Sequence, residues 1–388
     1  VRTLGGVTRG ARALLAAGAC LLLAGCGGGY TPAGPFREVQ EAPGPQVGPP
    51  SDTTPAPAPG DPSTPGSEQE EAGDPNVLAT DLAVPTGLVL LPDGTGIVAE
   101  RETGRLLQVF PDRSPARELM VVAGVDATGD GGLLGLALSP TFAEDGLFYA
   151  YLSTATDNRV VRFPMGGAPN PVVTGIPRGE TRNGGGLVFG VDGTLYVGTG
   201  DTGNAPLAQD PASLAGKVLA YDVFGQPVGA SAVYSSGLSN VQGLCLDAEG
   251  AVYATDDSAT GPDEFDALIP GGDYGSPVAI PGANPAVLTV PAETGGLAGC
   301  AVSGSFVFLG ALDGRQVVLA TLGPDGAPVA DPEPFLPDEY GRLRTVVLAP
   351  DGALWITTSN TDGLGTPAED DDKVLRIQPP ASEQTSPL

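Results

Sequence analysis

Six short hairpin signals spaced along residues 87–359 constrain this chain more than any other feature. They read "GLVLLPDGTGIVAE" (87–100), "GLALSPTFAEDGLFYAYLS" (135–153), "GLVFGVDGTLYVGTGD" (186–201), "GLCLDAEGAVYATDD" (243–257), "SFVFLGALDGRQVVLATL" (305–322) and "TVVLAPDGALWITTS" (345–359). Each is an apolar run, an Asp-Gly or Glu-Gly pair, and a second run rich in Val, Tyr, Leu or Trp. Such a pair admits the positive backbone angles that a tight turn between antiparallel strands requires. The starts advance by about 40 to 60 residues, which leaves room for two more strands per unit. "RLLQVF" (105–110), "RVVRFP" (159–164), "KVLAYD" (217–222) and "KVLRIQ" (373–378) supply examples. Four-stranded units at this period, with almost no helical periodicity, predict an all-β chain: a six-bladed β-propeller of antiparallel blades over residues 80–380. Ring closure requires a strand from the far end of the domain, and "NVLATDLAVP" (76–85) is the candidate partner for the last blade.

The residues before the repeats have a different character. Arg2, Arg9 and Arg12 precede the apolar run "ALLAAGACLLLAG" (13–25), too short for a comfortable membrane span and about right for a signal peptide. The tetrad Leu23-Ala24-Gly25-Cys26 resembles a bacterial lipoprotein processing site, with residues 1–26 as the signal and Cys26 as the lipidated residue. An ordinary secretory signal is the alternative, and both place the chain outside the cytoplasm. Residues 27–79 are rich in Pro, Gly, Ser, Thr and Glu, so they cannot bury enough apolar surface to offset ordering, and a disordered tether is expected. Residues 381–388 are expected to form a frayed tail. A net charge of −28 argues against nucleic acid and against electrostatic docking on anionic lipid. Membrane contact then comes only through the lipid anchor. Cys245 and Cys300 are an even pair in an oxidising compartment, either bridged or held as two buried thiols in neighbouring strands.

A propeller binds ligands at one end of its channel. Four irregular stretches directly precede the first strand of a repeat: "GVDATGDGG" (124–132), "GETRNGGG" (179–186), "SSGLSNVQG" (235–243) and "DEYGRLR" (338–344). All four are expected on one face. A fifth, "DDSATGPDEFD" (256–266), places five carboxylates within eleven residues, the oxygen-rich composition that calcium selects. The Asp residues of the hairpin turns, Asp93, Asp192, Asp313 and Asp351, are read as turn chemistry.

These loops, with "AQDPASLAGKVLAYD", "GPDEFDALIPGGDYGSP" and "YGRLRTVVLAPDGALWITTS", resemble the glucose/sorbosone dehydrogenase family from about residue 80 to 378. The resemblance implies pyrroloquinoline quinone (PQQ) and calcium on a six-bladed propeller. The implied activity is oxidation of a sugar or related alcohol by hydride transfer. It also implies a histidine base before the third blade, where Arg182 stands, followed by Asn183. A guanidinium, with a pKa above about 12, cannot accept a proton near neutrality. The chain has no histidine to replace it. Asp130, in the place of a family glutamine, is the candidate substitute base. Asn240, Gln242, Arg342 and Arg344 match cofactor-contacting positions, whereas Ser239 replaces a carboxylate-binding arginine. A cofactor lysine corresponds to Gly323 and an aspartate to Ser359. Asp263 and Glu264 match calcium-ligand positions, and the backbone carbonyls that meet the active-site ion correspond to Ser258 and Ala259.

PQQ is a tricarboxylate, and two of its four usual cationic partners are absent. That departure counts against the quinone and, with the missing base, against ordinary turnover. Three readings follow: a surface-tethered sugar dehydrogenase with lost or altered catalysis, a non-catalytic propeller that binds a sugar, glycan or surface protein, and a calcium-dependent lactonase or hydrolase. The last finds few Glu, Asn and Asp ligands before the blades.

Overall fold

The computed structural model describes residues 73–277 and 280–380. The signal segment, Cys26 and most of the expected tether lie outside the described residues, as does the tail from 381. Among the described residues no helix is long and apolar enough to cross a membrane.

The chain forms six antiparallel sheets arranged as the blades of a propeller. Blade 1 holds Pro85–Leu90, Gly96–Glu100, Arg105–Val109 and Arg117–Val121, and blade 2 holds Leu133–Leu138, Leu147–Ser153, Asn158–Pro164 and Asn170–Ile176. Blade 3 holds Gly184–Phe189, Leu195–Thr199, Lys217–Tyr221 and Val233–Ser236, with Gly272–Asp273 added in parallel. Gly243–Leu246, Val252–Asp256, Asp263–Ala267 and Leu288–Val290 make blade 4. Leu297–Ser303, Phe306–Ala311, Gln316–Thr321 and Glu333–Phe335 make blade 5. Blade 6 takes Leu343–Leu348, Leu354–Thr358 and Val374–Ile377 from the end of the chain and Val77–Ala79 from its beginning. The closing strand expected in 76–85 is therefore present, and it carries the propeller a few residues upstream of position 80.

Each innermost strand faces the channel, so successive innermost strands converge on the axis. Two glycines show what this requires. A Cβ on Gly135 would lie 2.0 Å from the Gly185 carbonyl oxygen, and one on Gly243 would lie 2.1 Å from that of Ala298. The recurring Gly-Leu at the start of the repeats is thus a packing requirement. The alternate residues of each strand fill six apolar clusters, one between each pair of neighbouring blades. Between blades 6 and 1, Trp355 packs with Leu88, Val98 and Leu107. Each fully buried Leu or Val side chain contributes about 1.5–3 kcal/mol relative to exposure.

Blade 5 departs from the sequence expectation by one strand. Its hairpin at 305–322 forms the second and third strands, while the first strand, Leu297–Ser303, turns through Gly304-Ser305 without an Asp-Gly signal. Two consequences follow. The Asp313 turn opens on the opposite face from Asp93, Asp192 and Asp351, whose Oδ1 atoms each accept the amide two residues on. Gly323 lies in the turn after the third strand, at the opposite end from the segments that precede the first strands, so it cannot stand where the resemblance expects a cofactor lysine. Cys245 and Cys300 are bridged, with Cα atoms 5.8 Å apart, and tie the innermost strands of blades 4 and 5.

Candidate functional site

At the end of the channel where the innermost strands begin, a cavity of about 160 Å³ is lined by Arg101, Asp130, Arg182, Asn240, Gln242, Asp257, Asp313, Arg342, Arg344 and Asp362 among others. Six residues singled out by sequence therefore meet in one place: Asp130, Arg182, Asn240, Gln242, Arg342 and Arg344. The other lining side chains named here, Arg101, Asp257, Asp313 and Asp362, follow the second strands of blades 1, 4, 5 and 6. Apart from the acidic stretch 256–266, which contains Asp257, the sequence singles out only connections that precede first strands. It also leaves Asp130 as the only nearby carboxylate, whereas four line the cavity.

Arg182 sits in the left-handed backbone region at φ 56°. Its main-chain amide donates to Asp130 Oδ2 at 3.3 Å, and its carbonyl accepts from Thr202 N at 3.1 Å. The neighbouring Asn183 is buried; its carbonyl accepts from the Tyr151 hydroxyl at 2.8 Å and its Oδ1 from Asn158 Nδ2 at 3.0 Å. The loop is thereby fixed. The guanidinium reaches across to blade 4, where Nη1 donates to the Asp257 carbonyl at 2.7 Å and Nη2 to the Ser258 carbonyl at 3.1 Å.

Asn240 braces this contact from both sides: its Oδ1 accepts from Gly184 N and its Nδ2 donates to Asp257 Oδ2, both at 3.0 Å. Its side chain thus holds the site together. Burial pushes the Asp257 carboxyl up, against the opposing hydrogen bond from Asn240 and the charge of Arg182.

The two arginines before blade 6 differ in kind. Arg342 is buried and ion-paired twice, to Asp362 at 3.0 Å and to Asp313 at 2.8 Å. Among the described residues Arg344 has only neutral hydrogen-bond partners, Gln242 Oε1 at 2.7 Å and Ser359 Oγ at 3.2 Å. Desolvation, then the charge of Arg101, lowers its pKa to about 10, so it stays cationic at neutral pH. Arg101 itself is paired at Nη2 with the half-exposed Glu102, while its buried Nε has no partner among the described residues. The cavity thus holds an under-compensated arginine beside a buried guanidinium N–H that has no partner among the described residues, together with four carboxylates.

The acidic loop is organised differently. Asp263 accepts Ser258 N at 2.8 Å on one oxygen and the amides of Gly296 and Leu297, at 2.6 and 3.1 Å, on the other. Its carboxylate therefore clamps the loop that Arg182 contacts. Glu264 is half-buried opposite Asp256 across the sheet. Asp256 accepts the amides of Ser239 and Asn240, and Asp266 is fully buried with neither oxygen partnered among the described residues. Among the described residues no group of three or more Cys, Asp or Glu side chains is arranged to hold a metal ion.

Comparison with known proteins agrees with this architecture. The family model for glucose/sorbosone dehydrogenase matches residues 82–299. The chain is 27% identical over 336 residues to the aldose sugar dehydrogenase YliI of Escherichia coli (strain K12), spanning 74% of this chain and 90% of that protein. Among solved structures, the PQQ-bound form of aldose sugar dehydrogenase from Streptomyces coelicolor superposes with a TM-score of 0.74 at 39% identity, covering 78% of this chain and 96% of that one. An oxidoreductase (glucose dehydrogenase) from Thermus thermophilus gives 0.71 at 33% identity, covering 78% and 98%. The match spans most of the propeller, and the chain belongs to the glucose/sorbosone dehydrogenase family.

Proposed function

We propose that this protein is an extracytoplasmic propeller, lipid-anchored at Cys26, whose arginine-lined cavity takes an anionic ligand of the PQQ class, with the family's sugar or alcohol oxidation lost or altered. The observation that carries the reading is Arg182. It stands at the position of the family base, its side chain lines the cavity, and two of its N–H groups are held by carbonyl oxygens. A permanently charged guanidinium attracts anions and accepts no proton.

The donor set fits a planar polycarboxylate. Beyond the Arg344 bonds to Gln242 and Ser359, the remaining Arg344 N–H groups and the Gln242 amide have no acceptor among the described residues, nor does the buried Arg101 Nε. PQQ, when bound, supplies the hydride acceptor. The chain's own residues bind and orient; Asp130 and Asp257 are the carboxylates available to hold a proton. Calcium fits less well, because the Ser258 carbonyl that the resemblance gives to the ion already accepts a hydrogen bond from Arg182.

The test is to titrate the purified chain with PQQ, follow quinone absorbance, and then assay dye reduction with a panel of aldoses. Bound quinone without turnover is expected. Rapid aldose oxidation would overturn loss of catalysis, and its disappearance in Asp130→Asn would identify the substitute base. Failure to bind quinone would favour the second reading, a propeller that binds a glycan or surface protein without turnover.

A further inference from the structure

Arg182 places a positive charge on main-chain oxygens. Its two donated bonds go to successive carbonyls, Asp257 and Ser258, and among the described residues it forms no ion pair with a carboxylate. A charge cradled by adjacent carbonyl dipoles is the same electrostatic arrangement by which protein oxygens hold a hard cation. Both ends of the contact are fixed. On the arginine side, Gly200 passes so close that a Cβ there would lie 1.9 Å from the Arg182 carbonyl oxygen, and the Thr202 amide bonds to the same carbonyl. On the carbonyl side, Asn240 holds the Asp257 carboxylate and Asp263 holds the Ser258 amide. A guanidinium carries five N–H donors, so three remain for a ligand. A divalent ion approaching the same carbonyls would meet a charge that cannot be discharged by proton loss.

We propose that Arg182 is a built-in cation that replaces calcium in this cavity, so that the site binds its anionic ligand without a metal. The proposal rests on the quinone-class reading above, and its test separates the two. Equilibrium dialysis of the purified full chain against PQQ is run in chelator and in millimolar calcium. The wild-type affinity is expected to agree between the two conditions within about twofold. Arg182→Ala is expected to weaken binding in chelator by about thirtyfold or more and to regain it in calcium. Arg182→Lys, which keeps a charge, should remain independent of calcium; a merely structural role would instead lose binding in both conditions with no rescue. Wild-type binding that requires calcium would overturn the built-in cation while leaving the anion-binding cavity intact. No binding in either condition would overturn both. An unchanged Arg182→Ala, or one that calcium fails to rescue, would also refute the replacement.

Discussion

Arg342 and Arg344 lie two residues apart and line one cavity, yet their removal is expected to move stability in opposite directions. Arg344 has no carboxylate partner among the described residues, and the lowering of its pKa from the usual 12.5 to about 10 corresponds to about 3 kcal/mol of unfavourable burial and like-charge repulsion. The side chain keeps some exposure to the cavity, so screening reduces the recoverable part to about 2 kcal/mol. Losing the bonds to Gln242 and Ser359 offsets about 1 kcal/mol. Arg344→Met should therefore stabilise the ligand-free protein by about 1 kcal/mol, near 2 °C in midpoint. Arg342→Met does the reverse. It strands Asp362, whose side chain is only 6% exposed, and breaking such a buried pair costs about 3–5 kcal/mol. Equilibrium denaturation followed by the fluorescence of the single tryptophan, the buried Trp355, measures both. The two variants should differ by roughly 4–6 kcal/mol, while both bind PQQ less tightly than wild type. An Arg344→Met protein less stable than wild type by about 1 kcal/mol or more would refute the claim that this cation is held at a cost for a ligand.

Other outcomes follow from the same structure. Arg182→His returns a side chain able to accept a proton, and dye-linked aldose oxidation with PQQ and calcium should rise by about 10²–10⁴ over wild type; an inert variant would show that the reacting atoms lie elsewhere. Burial raises the carboxyl pKa of Asp256 to about 7 and of Asp263 to about 6, so their contribution is full below about pH 4 and is lost as pH rises through 6 to 7. Thermal midpoints should accordingly be higher at about pH 5 than at about pH 7.5, and a flat profile would contradict it. Asp266→Asn removes a fully buried carboxyl with no hydrogen-bond partner among the described residues, raised well above its ordinary pKa by desolvation and by Asp256 and Glu264. It should stabilise the protein by about 1–3 kcal/mol at about pH 8, with the gain vanishing near pH 4. Replacing Cys245 and Cys300 by Ala opens a cross-link spanning 55 residues and should cost about 2–4 kcal/mol in denaturant titration.

The propeller was legible because hairpin chemistry is local. An Asp-Gly pair between two apolar runs specifies a turn whatever surrounds it, and five of the six signals mark the first two strands of their blades. Blade 5 hides its register because Gly304-Ser305 makes the same reversal without an acidic residue, so the next Asp-Gly pair stands out in its place. The error moves a whole blade by one strand, and strand parity turns it into an error about the site. In an antiparallel blade the connection between the second and third strands emerges at the same end as the segment preceding the first. A hairpin misread by one strand therefore assigns its turn to the wrong face, and Asp313, ion-paired to Arg342 at the cavity, is the residue affected.

The same parity accounts for the other omissions. Arg101 and Asp362 occupy second-to-third connections and carry a clear charge with no motif to single them out, while Asp257, in the same kind of connection, is marked only as one of five carboxylates in the acidic stretch 256–266. Counting strands from each hairpin places all of them at the cavity end. The reach of Arg182 has no such sign. Its acceptors are main-chain carbonyls 75 and 76 residues away, and a carbonyl has no side-chain identity for a sequence to reveal. Family resemblance exposes the substitution of a base by a cation, but only the fold brings that cation onto oxygen atoms. On the reading proposed above, position 182 joins two effects in one side chain: a guanidinium that accepts no proton, and a fixed positive charge on the carbonyl that the family resemblance assigns to calcium.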